Sequence, residues 1–244
     1  MENPFGTASG KNQEETGFAE LPLNEWFIAR TSDRGGAVPS IKDTKEGVPF
    51  MFKSGLFCVG GDDVKVKKSM YGAYAFFSAF MRPNFKDQGG PQSQDDYDAL
   101  SGRLTGFMNA TLSPGIEDKE ARWMNTMKQL VEYANELQES ADPDLKLLPE
   151  MFDVEGTDMR DNAAYMATVF ALLLRNSPRL VIVNQRIDKG AKGDREDTVV
   201  GSFKDAIPAN CKTKAGKPIE MFPDKEGEVF ELYGKTEGDE PVKF

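Results

Sequence analysis

The chain of 244 residues sets 30 lysines and arginines against 40 aspartates and glutamates, a formal net charge of −10, and it contains no histidine. Without imidazole there is no Ser-His-Asp or Cys-His nucleophile and no His-containing zinc site, and two cysteines, Cys58 and Cys211, are too few for a disulfide scaffold. The acidic surplus excludes general polyanion affinity of the whole surface, so any nucleic-acid site has to be a local basic patch.

Residues 1–24 are polar and lack apolar periodicity, which predicts a flexible arm with no secretory signal. A first strand is predicted over Glu25–Thr31. Val48–Lys53 and Leu56–Val59 read as a hairpin turning at Lys53-Ser54-Gly55. The small, apolar run Met70–Met81 predicts a buried helix. Tyr97, Leu100, Leu104, Phe107 and Met108 recur at helical spacing. Ser113-Pro114 suits the start of a further helix, whose stripe is Trp123, Met127, Leu130, Val131, Ala134 and Leu137. Ala141–Gly156 reads as a loop and Asp158–Arg175 as an apolar helix. The apolar stretches Tyr71–Met81 and Ala163–Leu174 are too short or interrupted to span a bilayer. Strand signals return at Arg179–Ile187, Thr198–Lys204, Pro218–Phe222 and Glu228–Tyr233.

Three strands, a helical block and further strands make an α+β chain in which neither strand group is self-sufficient. This order resembles that of the oligonucleotide/oligosaccharide-binding (OB) barrel, interrupted by a large helical insertion. The expected organisation is an arm over 1–24, the first half of the barrel over 25–68, the insertion over 69–178, the second half over 179–233 and an acidic tail over 234–244. Charge follows the same division. Residues 25–68 hold 8 basic against 6 acidic side chains and residues 179–217 hold 9 against 5, while every other segment is negative.

The expected ligand is single-stranded DNA or, with the same chemistry, RNA. Arg34, Lys42 and Lys45 lie between the first two strands, and Arg186, Lys189, Lys192 and Arg195 lie in and beside the loop Asp188–Asp197. In an OB barrel those two loops flank the ligand face. Arg30, Lys53, Lys65, Lys67 and Lys68 add charge, and Trp26, Phe27, Phe50, Phe52 and Phe57 are candidate stacking platforms. No cofactor motif is present: Gly60-Gly61 and Gly89-Gly90 fit neither a phosphate-binding loop nor a dinucleotide fingerprint.

The C-terminal Glu237-Gly-Asp-Glu-Pro-Val-Lys-Phe244 joins acids to a terminal aromatic. It resembles the acidic, Phe-ended tails of bacterial and phage single-stranded DNA-binding proteins, although Lys243 departs from the usual acidic run. The resemblance implies a non-enzymatic replication or recombination protein of the cytoplasm, the host's if viral. It also implies that Asp239, Glu240 and Phe244 recruit partner proteins and compete with DNA for the basic groove. Two other classes compete with this reading. One is a viral assembly or protein-interaction component using the helical block; the other is a carboxylate-metal enzyme using Asp153, Glu155, Asp158 and Asp161.

Overall fold

The computed structural model describes residues 20–33, 35–43, 45, 47, 49–62, 65–67, 70–81, 94–155, 162–189, 196–222 and 232. They form an antiparallel seven-stranded sheet with helices packed against it, an α+β architecture. The strands are β1 (Trp26–Thr31), β2 (Ser40–Asp43), β3 (Pro49–Gly61), β4 (Tyr74–Phe80), β5 (Leu180–Lys189), β6 (Glu196–Lys204) and β7 (Glu220–Met221). Between β4 and β5 come α1 (Gln94–Leu112), α2 (Lys119–Gln138), the short α3 (Pro143–Lys146) and α4 (Leu148–Met151), and α5 (Ala163–Asn176).

β3 organises the sheet. One of its edges pairs with β2 over residues 49–53 and then with β1 over 56–61; the other pairs with β4 over 51–57 and with β7 at Gly60 and Gly61. β1 in turn pairs with β5, and β5 with β6, so strands from both ends of the chain share one sheet. β1 is covered on both faces and only Trp26, its first residue, is exposed.

Two sequence expectations are corrected here. Lys53-Ser54-Gly55 is not a turn, because β3 runs through it without a break. Ala37, in the 3-10 turn Gly35–Ala37, lies so close over Gly55 that a Cβ there would stand 2.6 Å from the Ala37 Cβ. The glycine is there for close approach and not for chain reversal. Likewise Met70–Met81 is not a helix. Tyr74, Phe76, Ser78 and Phe80 face outward while Ala75, Phe77, Ala79 and Met81 are buried, which is period two. The helical insertion therefore starts after β4, not at residue 69.

The helices are set by local chemistry. The Asp118 side chain accepts from the Ala121 N–H at 2.8 Å and caps α2, a role the sequence had suggested for Ser113. Ser113 instead meets the Thr126 hydroxyl at 2.7 Å, holding α1 against α2. Asn162 caps α5, whose apolar length is buried between sheet and α2. Arg175 Nε donates to the Pro39 carbonyl at 2.6 Å and ties the end of α5 to the entry of β2. The expected loop Ala141–Gly156 contains α3 and α4.

Two apolar clusters result. The larger, between sheet and helices, centres on Phe107 of α1. Its ring stacks on Phe77 of β4 (4.0 Å between centroids, 13° between planes) and meets Phe203 of β6 edge-on at 5.6 Å. Phe52 of β3 packs on Phe170 of α5 at 5.2 Å. The smaller cluster lies on the opposite face of β1 and β5, where Ile28, Val59, Leu180 and Ile182 are covered by Ala206, Cys211, Ile219 and Met221. β4 and β6 come close at one seam, where Phe77 and Phe203 lie 5.6 Å apart. Arg103 of α1 donates to the Val200 and Gly201 carbonyls there, with its guanidinium 5.2 Å from the Phe77 ring centroid.

Truncating the central ring measures how far the fold depends on it. Phe107→Ala should cost about 3–5 kcal/mol of unfolding free energy. Urea unfolding checks this, and a loss below about 1 kcal/mol would show that the cluster repacks without it.

Candidate functional site

The outward face of β3 and β4 is built from cross-strand rows. In one row Arg30, Phe57 and Tyr74 stand side by side; in the next same-facing row Gly55 is opposite Phe76. Further along come Ser40, Lys53 and Ser78, then Lys42, Met51 and Phe80. The alternation that buries Phe52, Leu56, Ala75 and Phe77 turns this set outward. Phe57 and Tyr74 meet edge-to-face at 5.8 Å, and Tyr74 meets Phe76 at 5.2 Å and 84°. Lys53 Nζ sits 4.2 Å over the Phe76 ring. Tyr74 is 46 % exposed, unusual for a tyrosine with aromatic neighbours on both sides. Such a face offers π surfaces for planar groups, with cations beside them for anions.

A second aromatic–cation pair stands at the start of β1, where Lys204 Nζ lies 4.7 Å over the Trp26 ring. Trp26 is paired in register with Asn184 of β5.

The sequence-predicted residues divide sharply. Phe52 and Phe27 are wholly buried in the larger cluster, so neither is a stacking platform. Their inward position follows from register: both lie on the face that the helices cover, where Phe107 of α1 and Phe170 of α5 pack on Phe52. Arg30 belongs to the outward face but is 5 % exposed and bound to Asp33 at 3.3 Å. Lys53 and Lys42 flank the aromatic face, and Lys45 is exposed in the loop beyond β2. Lys65 is ion-paired with Glu25 and Lys67 is exposed. Arg186 is exposed on β5 with its aliphatic stem across Gly201. Lys189 is the last residue of β5. Arg34, Lys68, Lys192, Arg195, Asp239, Glu240 and Phe244, with the side chains of Phe50 and Lys189, lie outside the described residues. Tyr74 and Phe76 fall inside Met70–Met81, the run whose apolar character predicts a helix. The i, i+2 spacing of Tyr74, Phe76, Ser78 and Phe80 was the signal that could have found both.

No protein-family model, curated protein or solved structure matches this chain. Among the described residues, no three acids or cysteines are grouped to hold a metal ion, and no helix is long and apolar enough to cross a membrane.

Both cysteines are free and buried. Desolvation pushes the Cys58 thiol up to about 12 and the Cys211 thiol up to about 11, from an ordinary 9.0. Each is protonated at neutral pH and a poor nucleophile. Ellman's reagent at pH 8 should find no reactive thiol in the folded protein and both after unfolding. Because the folded state holds these protons more tightly, their contribution to stability is full below about pH 9 and is lost as pH climbs from there toward 12. The urea midpoint should fall over that window.

Proposed function

We propose that the chain is a non-enzymatic single-stranded nucleic-acid-binding protein whose platform is the outward face of β3 and β4. The observation that carries this reading is the row Phe57–Tyr74–Phe76 with Lys53 over its last ring, an aromatic ladder on the sheet face opposite the helices. Bases stack on such rings without regard to sequence, at about 1–3 kcal/mol per base, and Lys42 and Lys53 are within the same face to neutralise phosphates.

We read the sheet as a partly open OB-type barrel. Supporting this are the meander β1–β3–β4, the helical segment that follows it, the return of β5 beside β1, and the approach of β6 to β4. On that reading β3 and β4 are the second and third barrel strands, whose face carries oligonucleotides in OB barrels. The arrangement then belongs with the phage and bacterial single-stranded DNA-binding class, in the cytoplasm, with Asp239, Glu240 and Phe244 as the partner-recruiting end. A scaffold or assembly role is the second reading. It is favoured by the exposed Met124, Leu147 and Met151 on the helical block, at 64 %, 44 % and 69 %.

Fluorescence anisotropy with labelled single- and double-stranded oligonucleotides tests the proposal. Single-strand binding should weaken with salt. Tyr74→Ala and Phe76→Ala should each raise Kd by roughly five- to hundred-fold, the equivalent of about 1–3 kcal/mol. Tyr74→Ala should leave the melting temperature nearly unchanged, since that ring is half in solvent. Each phosphate contact removed, by Lys42→Glu or Lys53→Glu, should lower the logarithmic salt slope by about 0.7. Absence of salt-dependent single-strand binding, or full affinity in Tyr74→Ala, overturns the reading.

A further inference from the structure

The outer face of the sheet carries a second aromatic site, apart from the Phe57–Tyr74–Phe76 row. Trp26 and Arg30 stand an even number of residues apart on β1, so Trp26 shares the side on which Phe57 stands beside Arg30. It is the one exposed residue of β1, at 37 %. Its row continues through Asn184 of β5 and Ser202 of β6, both polar. Lys204, two residues further along β6, holds its ammonium over the indole.

A bulge in β6 brings a second cation to the same place. The pairing slips between Asn184 and Gln185, which leaves Gly201 beneath the Arg186 side chain. A Cβ on Gly201 would stand 2.9 Å from the arginine Cδ and 3.0 Å from its Cγ. The missing side chain thus lets Arg186 lie along the sheet toward the Asn184–Ser202 row. Among the described residues neither Lys204 nor Arg186 has a carboxylate partner.

Between this site and the β3–β4 row, the segment after β6 covers the sheet, laying Ala206, Cys211 and Ile219 on Ile28 and Ile182. Residues 206–219 contain Lys212, Lys214 and Lys217, all exposed, and no acid. The turn that carries them is fixed: the Thr213 N–H donates to the Lys217 carbonyl at 2.7 Å, and Gly216 takes a left-handed φ of 77°. The lysines outnumber Asp62 and Glu220, the acids that share their hollow.

We infer that a single strand held at the β3–β4 row continues over this cover to a second stacking point at Trp26, where Lys204 and Arg186 meet the adjoining phosphates. The inference rests on the reading of β3–β4 as a single-strand platform and extends its track. A base stacked on the indole gains more than the exposed cation–π contact it displaces, and the flexible lysine stem carries its charge to a phosphate. Four residues of strand rise about 13 Å, so the two stacking points are a few nucleotides apart. That fits within the roughly 4–16 nucleotides of one OB-sized site. Two contacts joined by one strand reinforce each other, because the second forms at high effective concentration.

The chain has two tryptophans, so Trp123→Phe leaves Trp26 as the sole indole reporter. A thymidine strand of about 16 nucleotides should quench that emission saturably at one strand per protein, in step with the anisotropy of the labelled strand. Trp26→Leu keeps apolar bulk but removes the ring, and should raise Kd roughly ten-fold or more; Trp26→Phe keeps a ring and should change it by about three-fold at most. Lys204→Glu and Arg186→Glu should each lower the logarithmic salt slope by about 0.7. Equal losses in Trp26→Leu and Trp26→Phe would mark a structural tryptophan and overturn the inference, as would unchanged slopes or two strands per protein. If Tyr74→Ala weakens binding while Trp26 is not quenched and Trp26→Leu keeps full affinity, the strand ends at the platform: this inference fails and the platform stands. Full affinity in Tyr74→Ala removes the platform and the continuous track together.

Discussion

The Phe107 ring lies flat on Phe77 and edge-on to Phe203 and Phe170, which joins four parts of the chain that are remote in sequence. Phe77 comes from the first strand group, Phe107 and Phe170 from the first and last long helices, and Phe203 from the second strand group. Four rings gathered around Phe107 bury a large apolar area and add favourable stacked and edge-to-face electrostatics. The helical segment is thus not an appendage on a finished sheet. Removing it would strip one face of β3, β4 and β6 of its partners. A sheet with an uncovered apolar face is not stable on its own.

The same helix resolves a second difficulty. β4 and β6 are outer strands, and an outer strand exposes unpaired carbonyls that invite association with other chains. Arg103 supplies donors to two of those carbonyls on β6 while lying over Phe77. Elsewhere on the sheet, β7 and the loop carrying Ala37 fill the places along β3 that β1, β2 and β4 leave open. Core formation and edge protection are therefore coupled through α1.

With the inward face committed to the helices, the outward aromatics of β3 and β4 are left over. Phe57, Tyr74 and Phe76 meet edge-to-face in a row, with Lys53 over the last ring. The acidic character of the whole chain does not oppose an anion at this face, because exposed charges beyond about 8–10 Å are screened at physiological salt and the nearest cations are Lys42, Lys53 and the bound Arg30.

By itself the sequence determined the chemistry that is excluded, through its lack of histidine, and the segregation of positive charge into two segments. It also determined the strands β1, β5 and β6 and the helices α1, α2 and α5, because each carries apolar residues at its own period or ends at a recognisable breaker. β4 was masked, since apolar residues on both of its faces hide from hydrophobicity the i, i+2 spacing of Tyr74, Phe76, Ser78 and Phe80. The fate of individual rings was not legible either. Phe52 and Phe57 lie five residues apart on one strand, yet one is sealed in the core and the other faces out. That difference is decided by which side of β3 the helices cover, and a strand's own sequence does not contain that information. A groove lined by Gly106, Trp123 and Phe203 is also a tertiary product, because these residues become neighbours only when α1 and α2 pack against β6.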